Sequence, residues 1–234
     1  MASLTDLQSE IEEALRINSD DSEVDRRLIT RLIAEQRALW IRNEYNKNRS
    51  ISEDVTQDLG CIAMELKDAA DCCSDIVEAG CKVLRTAVDL PKPIEYHNSS
   101  GFTRVGATNK IKAPISLIPY QRVPFAGNGR FNQGRIFAFY LNNRMYLYSK
   151  TEDFMQIEYL NIRGVFEDPT AAGSFRTCSD LVCWTPDSEY PINDWMWTYM
   201  KEQIIQQLLR QESIPMDEDN DAKQRDVVSQ PKIQ

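Results

Sequence analysis

The residues able to do chemistry are few, and their spacing argues against a reaction centre. His97 is the sole histidine. Any Ser-His-Asp or Cys-His arrangement would need it as the base that takes the nucleophile's proton. It sits in Glu95-Tyr96-His97-Asn98-Ser99-Ser100, a run that reads as a turn, so an ordinary loop histidine is expected. Cys61, Cys72, Cys73 and Cys81 offer thiolates for zinc. Structural zinc sites, however, use closely spaced cysteine pairs in duplicate, and only Cys178 with Cys183 has that spacing. Six reduced, buried thiols are the expectation, with no metal and no other cofactor. Gly127-Asn128-Gly129 to Gly134 lacks the Lys-Ser/Thr ending of a phosphate loop and does not lie between a strand and a helix. It reads as a loop tip, and in an assembly Asn128 and Arg130 would touch a neighbour.

Arg26, Arg27, Arg31, Arg37 and Arg42 could face phosphate. Asp25, Glu35 and Glu44 are interleaved with them and blunt the field, so a solvated or interprotomer face is the reading. Carboxylates are plentiful, yet nothing in the pattern places two of them in one pocket. The net charge of −9 is the reverse of a nucleic-acid reader's footprint. It suits solubility, or the smooth passage of DNA past an acidic wall. Met1 to Glu13 has no basic start followed by an apolar run, and no apolar stretch approaches the ~18 residues of a membrane span. A non-enzymatic protein with no membrane partner is expected.

The elements that would position these residues divide the 234-residue chain into four regions. Leu4, Leu7, Ile11, Ala14 and Leu15 keep helical spacing behind Ser3 or Thr5 as a cap. A second helix runs from an Asp21 or Ser22 cap to about Asn46, with Val24, Leu28, Leu32 and Leu39 on one row and Ile29, Ile33 and Trp40 on the next. Together they make a helical hairpin over residues 1–48. Residues 49–191 form a β-rich insertion. Within it Asp58 to Leu66 could be a strand, and Pro91-Lys92-Pro93 marks an extended stop. Arg135 to Ser149 places two aromatic runs about Asn142-Asn143, which is a hairpin signal. Gln156 to Phe166 reads as a third strand, antiparallel to that hairpin.

A C-terminal helix over 192–212 carries Trp195, Met196, Tyr199, Met200, Ile204, Leu208 and Leu209 at helical spacing, capped by Asn193 or Asp194. Trp195 and Trp197 lie about 200° apart on the wheel. One of them must leave the chain's own core, which implies a second partner for this helix. The polar, acidic segment 213–234 cannot fold alone. It is expected to be an extended arm held by another chain. The fold class is therefore α+β: a small bundle of the hairpin and the C-terminal helix, a β-rich insertion and an arm.

The order of these elements resembles the head-to-tail adaptor (connector) proteins of tailed phages, most closely the ring proteins beneath the portal in crAss-like phages. Three segments carry the resemblance: RRLITRLIAEQRALWIRNEYNK at 26–47, GRIFAFYLNNRMYLYSK at 134–150 and YLNIRGVFEDP at 159–169. The residues after Glu212 lie outside it. The resemblance implies a virion structural protein at the head–tail interface, made in the host cytoplasm. About a dozen copies would close a ring through head-to-tail contacts. One side would dock on the portal and the other on the next tail ring or tail-hub protein, with genomic DNA passing through the centre without sequence-specific binding. It implies no catalytic residue. The interface residues expected are Trp195, Trp197, Tyr199, Ile204, Leu208, Asn128 and Arg130, with 192–234 as the portal-side arm. A different ring lower in the tail is the first alternative, and a non-virion regulatory or nucleic-acid-modifying phage protein the second.

Overall fold

The computed structural model describes residues 2–18, 24–68, 82–97, 99–108, 115–175 and 184–212. It is a mixed α+β molecule built of helices on one side and a seven-stranded sheet on the other. Helix α1 spans Leu4–Asn18. Ser3 and Asp6 cap it reciprocally: the Ser3 N–H donates to Asp6 Oδ2 (3.0 Å) and the Asp6 N–H to Ser3 Oγ (3.2 Å). Helix α2 spans Arg26–Asn48. Its cap is Asp25, whose carboxylate accepts from the Arg27 N–H, and not Asp21 or Ser22 as the pattern suggested. Arg49 closes it in the left-handed region at φ 57°.

The strands are β1 (Gln57–Asp68), β2 (Lys82–Thr86), β3 (Phe102–Ala107), β4 (Ser116–Leu117), β5 (Phe137–Leu141), β6 (Arg144–Tyr148) and β7 (Tyr159–Gly164), in the order β3-β7-β1-β2-β6-β5-β4. Two helices follow, the short α3 (Pro169–Gly173) and α4 (Asp194–Glu212). The Asn-Asn hairpin is present: Asn142 and Asn143 sit at φ 49° and 59°, the pair of positive angles a two-residue hairpin turn of primed type requires. The third strand is present, but it does not pair with the hairpin. β7 lies between β3 and β1, and both β1 and β2 separate it from β6. The twelve-residue β1 makes this possible. Its first half pairs with β7, its second half with β2, and a bulge at Gly60 (φ 67°) bends it near the change of partner.

The sheet curls until its edges nearly meet. The Ile115 N–H, just before β4, donates to the Val105 carbonyl of β3 at 3.0 Å. This near-closure encloses a core in which Leu59, Ile62, Met145, Leu160 and Ile162 are all almost wholly buried. A second core lies among the helices. Leu7, Ile11 and Leu15 of α1, Ile29, Ile33 and Ile41 of α2, and Met196, Met200, Ile204 and Leu208 of α4 share it. Val55, Ile94, Tyr96, Val165 and Tyr190, from outside these helices, complete it. α2 buries most of the face read from its sequence: Ile29, Leu32 and Ile33 lie in the core, with Val24, Leu28 and Trp40 packed against it. Leu39 is half exposed, while Ile41 and Arg37 are buried.

Candidate interaction surfaces

Arg37 is the most unusual side chain. It stands on the helical row Ile29, Ile33, Arg37, Ile41, four residues apart, so α2 drives it into the core (0 % exposed). Nε donates to the Pro191 carbonyl (2.6 Å), Nη1 to Phe166 (2.9 Å) and Nη2 to Val55 (3.0 Å). These carbonyls precede α4, follow β7 and precede β1. One guanidinium thus ties α2 to three separate segments where helices meet sheet. Burial pushes its pKa below the usual arginine value, partly offset by Tyr190, Tyr96 and Asp168. The planar fork with its spread of N–H donors suits this role, which a lysine could not fill. The surface reading of Arg37 is therefore corrected. The row of fours was the available signal, hidden because arginine is ordinarily a surface residue.

The other four arginines of α2 stay outside. Arg26 pairs with Glu12 (2.6 Å) and Arg31 with Glu35 (2.7 Å), while Arg27 and Arg42 are exposed.

The C-terminal helix presents two faces. Ile204 and Leu208 are buried in the chain's own core, so these two leave the surface expected of them. Trp197 packs against the same core, and its indole N–H donates to Glu10 Oε2 (3.0 Å), which also receives Lys201 (3.0 Å). Desolvation works against the Glu10 carboxylate, but these two hydrogen bonds carry its pKa below the ordinary value. Trp195 (45 % exposed) and Tyr199 (55 % exposed) are the aromatics that leave the core. Trp40 of α2 joins them: it meets Trp195 edge-on (6.4 Å) and stacks on Tyr199 (5.7 Å). Its N–H is held by Gln203 at 3.2 Å. The result is a pre-ordered aromatic surface of three rings shared by two helices.

Asn128 and Arg130 are exposed on the loop between β4 and β5. Phe125 and Phe131, which sequence reasoning did not single out, are far more exposed than most phenylalanines, at 74 % and 88 %. His97 is exposed in a tight turn closed by the Tyr96 N–H to Ser99 carbonyl bond, and its own N–H donates to Asn46 Oδ1 (3.4 Å). Among the described residues no three metal-ligating side chains converge. Cys61 is disulfide-bonded, which corrects the expectation of six reduced thiols. A disulfide depends on how close two Cα atoms come, and spacing along the chain does not reveal that. The other five cysteines and residues 213–234, expected to form an arm, lie outside the described residues, and no helix among those described is long and apolar enough to cross a membrane.

Comparison with known proteins adds a family. The family model described as phage tail ring protein 2 matches residues 6–227. "Ring protein 2" of Bacteroides phage crAss001 is 24 % identical over 212 residues, covering 89 % of this chain and 91 % of that protein. The resemblance to ring proteins of crAss-like phages holds, and it extends further than the three segments indicated: the match runs on through the acidic run after Glu212.

Proposed function

This chain belongs to the phage tail ring protein 2 family, and from that premise we propose that it closes a ring joining the portal vertex of the capsid to the tail. Membership makes it a structural ring component of a bacteriophage virion. The finer reading is mechanical. About a dozen copies bury surface against one another head-to-tail, the ring seats on the portal, the next tail component docks beneath, and DNA passes through the centre. Within it, residues 1–48 and 192–212 act as a helical bundle facing partners, 49–191 as the β-rich insertion and 213–234 as an extended arm.

The observation that carries this reading is the surface of Trp40, Trp195 and Tyr199. Tryptophan and tyrosine dominate the energetics of protein interfaces because they bury much area at small entropic cost. Here their mutual stacking orders them before any partner arrives. The ordinal in the family description supports a second reading, in which the chain sits on another ring and not on the portal itself.

Sedimentation of the purified protein alone, with portal and with the other tail rings separates the two. Multi-copy assembly on the portal supports the first, and assembly only on another ring supports the second. A chain that stays monomeric against every tail component overturns both.

A further inference from the structure

We propose that the loop over 119–135, with the groove beside it, is the docking surface for the acidic segment 212–221 of a neighbouring copy of this chain. The proposal rests on the ring reading for the supply of neighbours. Its first support is charge. Between Gly101 and Lys150 there are eight lysines and arginines and no Asp or Glu, in a chain whose net charge is −9. Among the described residues Arg122, Arg130 and Arg135 are exposed and have no carboxylate partner.

The second support is apolar. Phe125 and Phe131 stand almost fully in solvent, on a loop that follows an open groove of about 640 Å³ lined by Leu117, Ile118, Pro119, Tyr140 and Arg122, with Glu95 as its one carboxylate. Duplex DNA offers phosphates to the arginines but covers a phenylalanine only by unstacking its base steps. A segment pairing apolar residues with acids satisfies both. Residues 214–221 read Ile-Pro-Met-Asp-Glu-Asp-Asn-Asp: an apolar triplet, then four carboxylates within five positions.

The third support is geometry, which places the partner segment on another copy. The end of α2 lies beside the start of α4, where Ile41 and Glu44 line one pocket with Asn193, Trp195 and Met196. The C-terminal part of α2 reaches the groove, with Tyr45 packed on Tyr96 at 4.0 Å. The groove is thus on the side where α4 begins. α4 has 19 residues and ends about 28 Å away. Asp217, the first acid of the run, is five residues past that end and reaches about 18 Å when fully extended. The apolar triplet and the first acids therefore fall short of their own groove, and seating the whole segment there calls for another copy's helix end.

A fluorescein-labelled peptide of residues 210–222, titrated into the full-length protein, tests this directly. Saturable binding is expected. It should weaken with added salt and fall about tenfold or more in Arg122→Glu/Arg130→Glu and in Phe125→Ser/Phe131→Ser. Equal binding by a scrambled peptide, or no loss in either variant, overturns the proposal. So does a loop that binds a short DNA duplex and ignores the peptide.

A mixing experiment tests the trans geometry. The loop variant and an Asp217→Asn/Glu218→Gln/Asp219→Asn/Asp221→Asn variant should each lose self-association, yet pair one-to-one when combined, because each supplies the half the other lacks. Rings formed normally by both variants would remove the docking surface and leave the ring. Peptide binding by a chain that never forms rings would remove the ring and leave the docking surface.

Discussion

The helical core and the sheet core are both apolar, but they are completed by different means. The sheet nearly closes on itself. Strand pairing satisfies its backbone, the Ile115 N–H to Val105 carbonyl bond draws its edges together, and its interior needs only alternating apolar residues. The helical core has no such closure. Where it meets the sheet, three chain segments arrive with carbonyls that helix and strand ladders leave over, and Arg37 satisfies all three. Buried backbone acceptors must find donors. A sheet supplies them from its own ladder, whereas a junction between layers requires a side chain. The junction is the costlier place to disturb.

The largest effect should therefore come from Arg37. Arg37→Met leaves three buried carbonyls without their donor and should lower stability by about 3–5 kcal/mol, read by urea denaturation. Arg37→Lys should recover only part, because one ammonium cannot span three acceptors. A loss under about 1 kcal/mol for the Met variant would break the distinction between junction and sheet. Gly101, just ahead of β3, tests a close backbone approach at the junction that Arg37 does not serve. A Cβ there would lie 2.5 Å from the Val165 carbonyl oxygen and 2.9 Å from that of Ile94. Gly101→Ala should cost about 1–3 kcal/mol by forcing backbone apart, less than Arg37→Met.

Alkaline pH probes both regions. Burial pushes the Tyr190 and Tyr96 phenols in the helical core, and Tyr140 at the sheet, up to about 12 from 10. A raised folded-state pKa means the neutral phenol is favoured by folding. That contribution is whole below pH 10 and is lost as pH rises through 12. Denaturation midpoints at pH 8 and 11 should show the loss. Tyr190→Phe and Tyr140→Phe should flatten it to a similar extent, since the two phenols are raised to the same value.

The smallest effect on stability belongs to the outer aromatics. Trp195→Ala/Tyr199→Ala should change the monomer's denaturation by about 1 kcal/mol or less while weakening assembly about tenfold or more by sedimentation. A monomer that unfolds would show these rings serve the core and not a partner.

Local patterns were legible wherever one residue's conformational preference or one element's periodicity decided the outcome. Asn142-Asn143 specifies a turn because asparagine tolerates positive φ. The apolar rows of α1 and α4 specify buried faces, and the 200° between Trp195 and Trp197 already required that one aromatic leave the core. The pairing of β7 with β1 and β3 was not legible, since a strand's own residues do not name its neighbours and the bend at Gly60 lets β1 serve two. Nor was the burial of Arg37, because a guanidinium enters a core only where carbonyls from distant segments converge, and that convergence exists only in the folded chain. Exposure of Phe125 and Phe131 was hidden likewise, for a phenylalanine in sequence looks the same inside or out. The chain alone thus determined α1, α2, α4, the Asn142-Asn143 hairpin and their apolar faces, since those depend on neighbours along the helix or turn, whereas β2, β3, β4 and α3 carry no such local signal. Which strands meet, which cation is buried and which aromatics are left for a partner depend on contacts between residues far apart in sequence, and only the tertiary structure decided them.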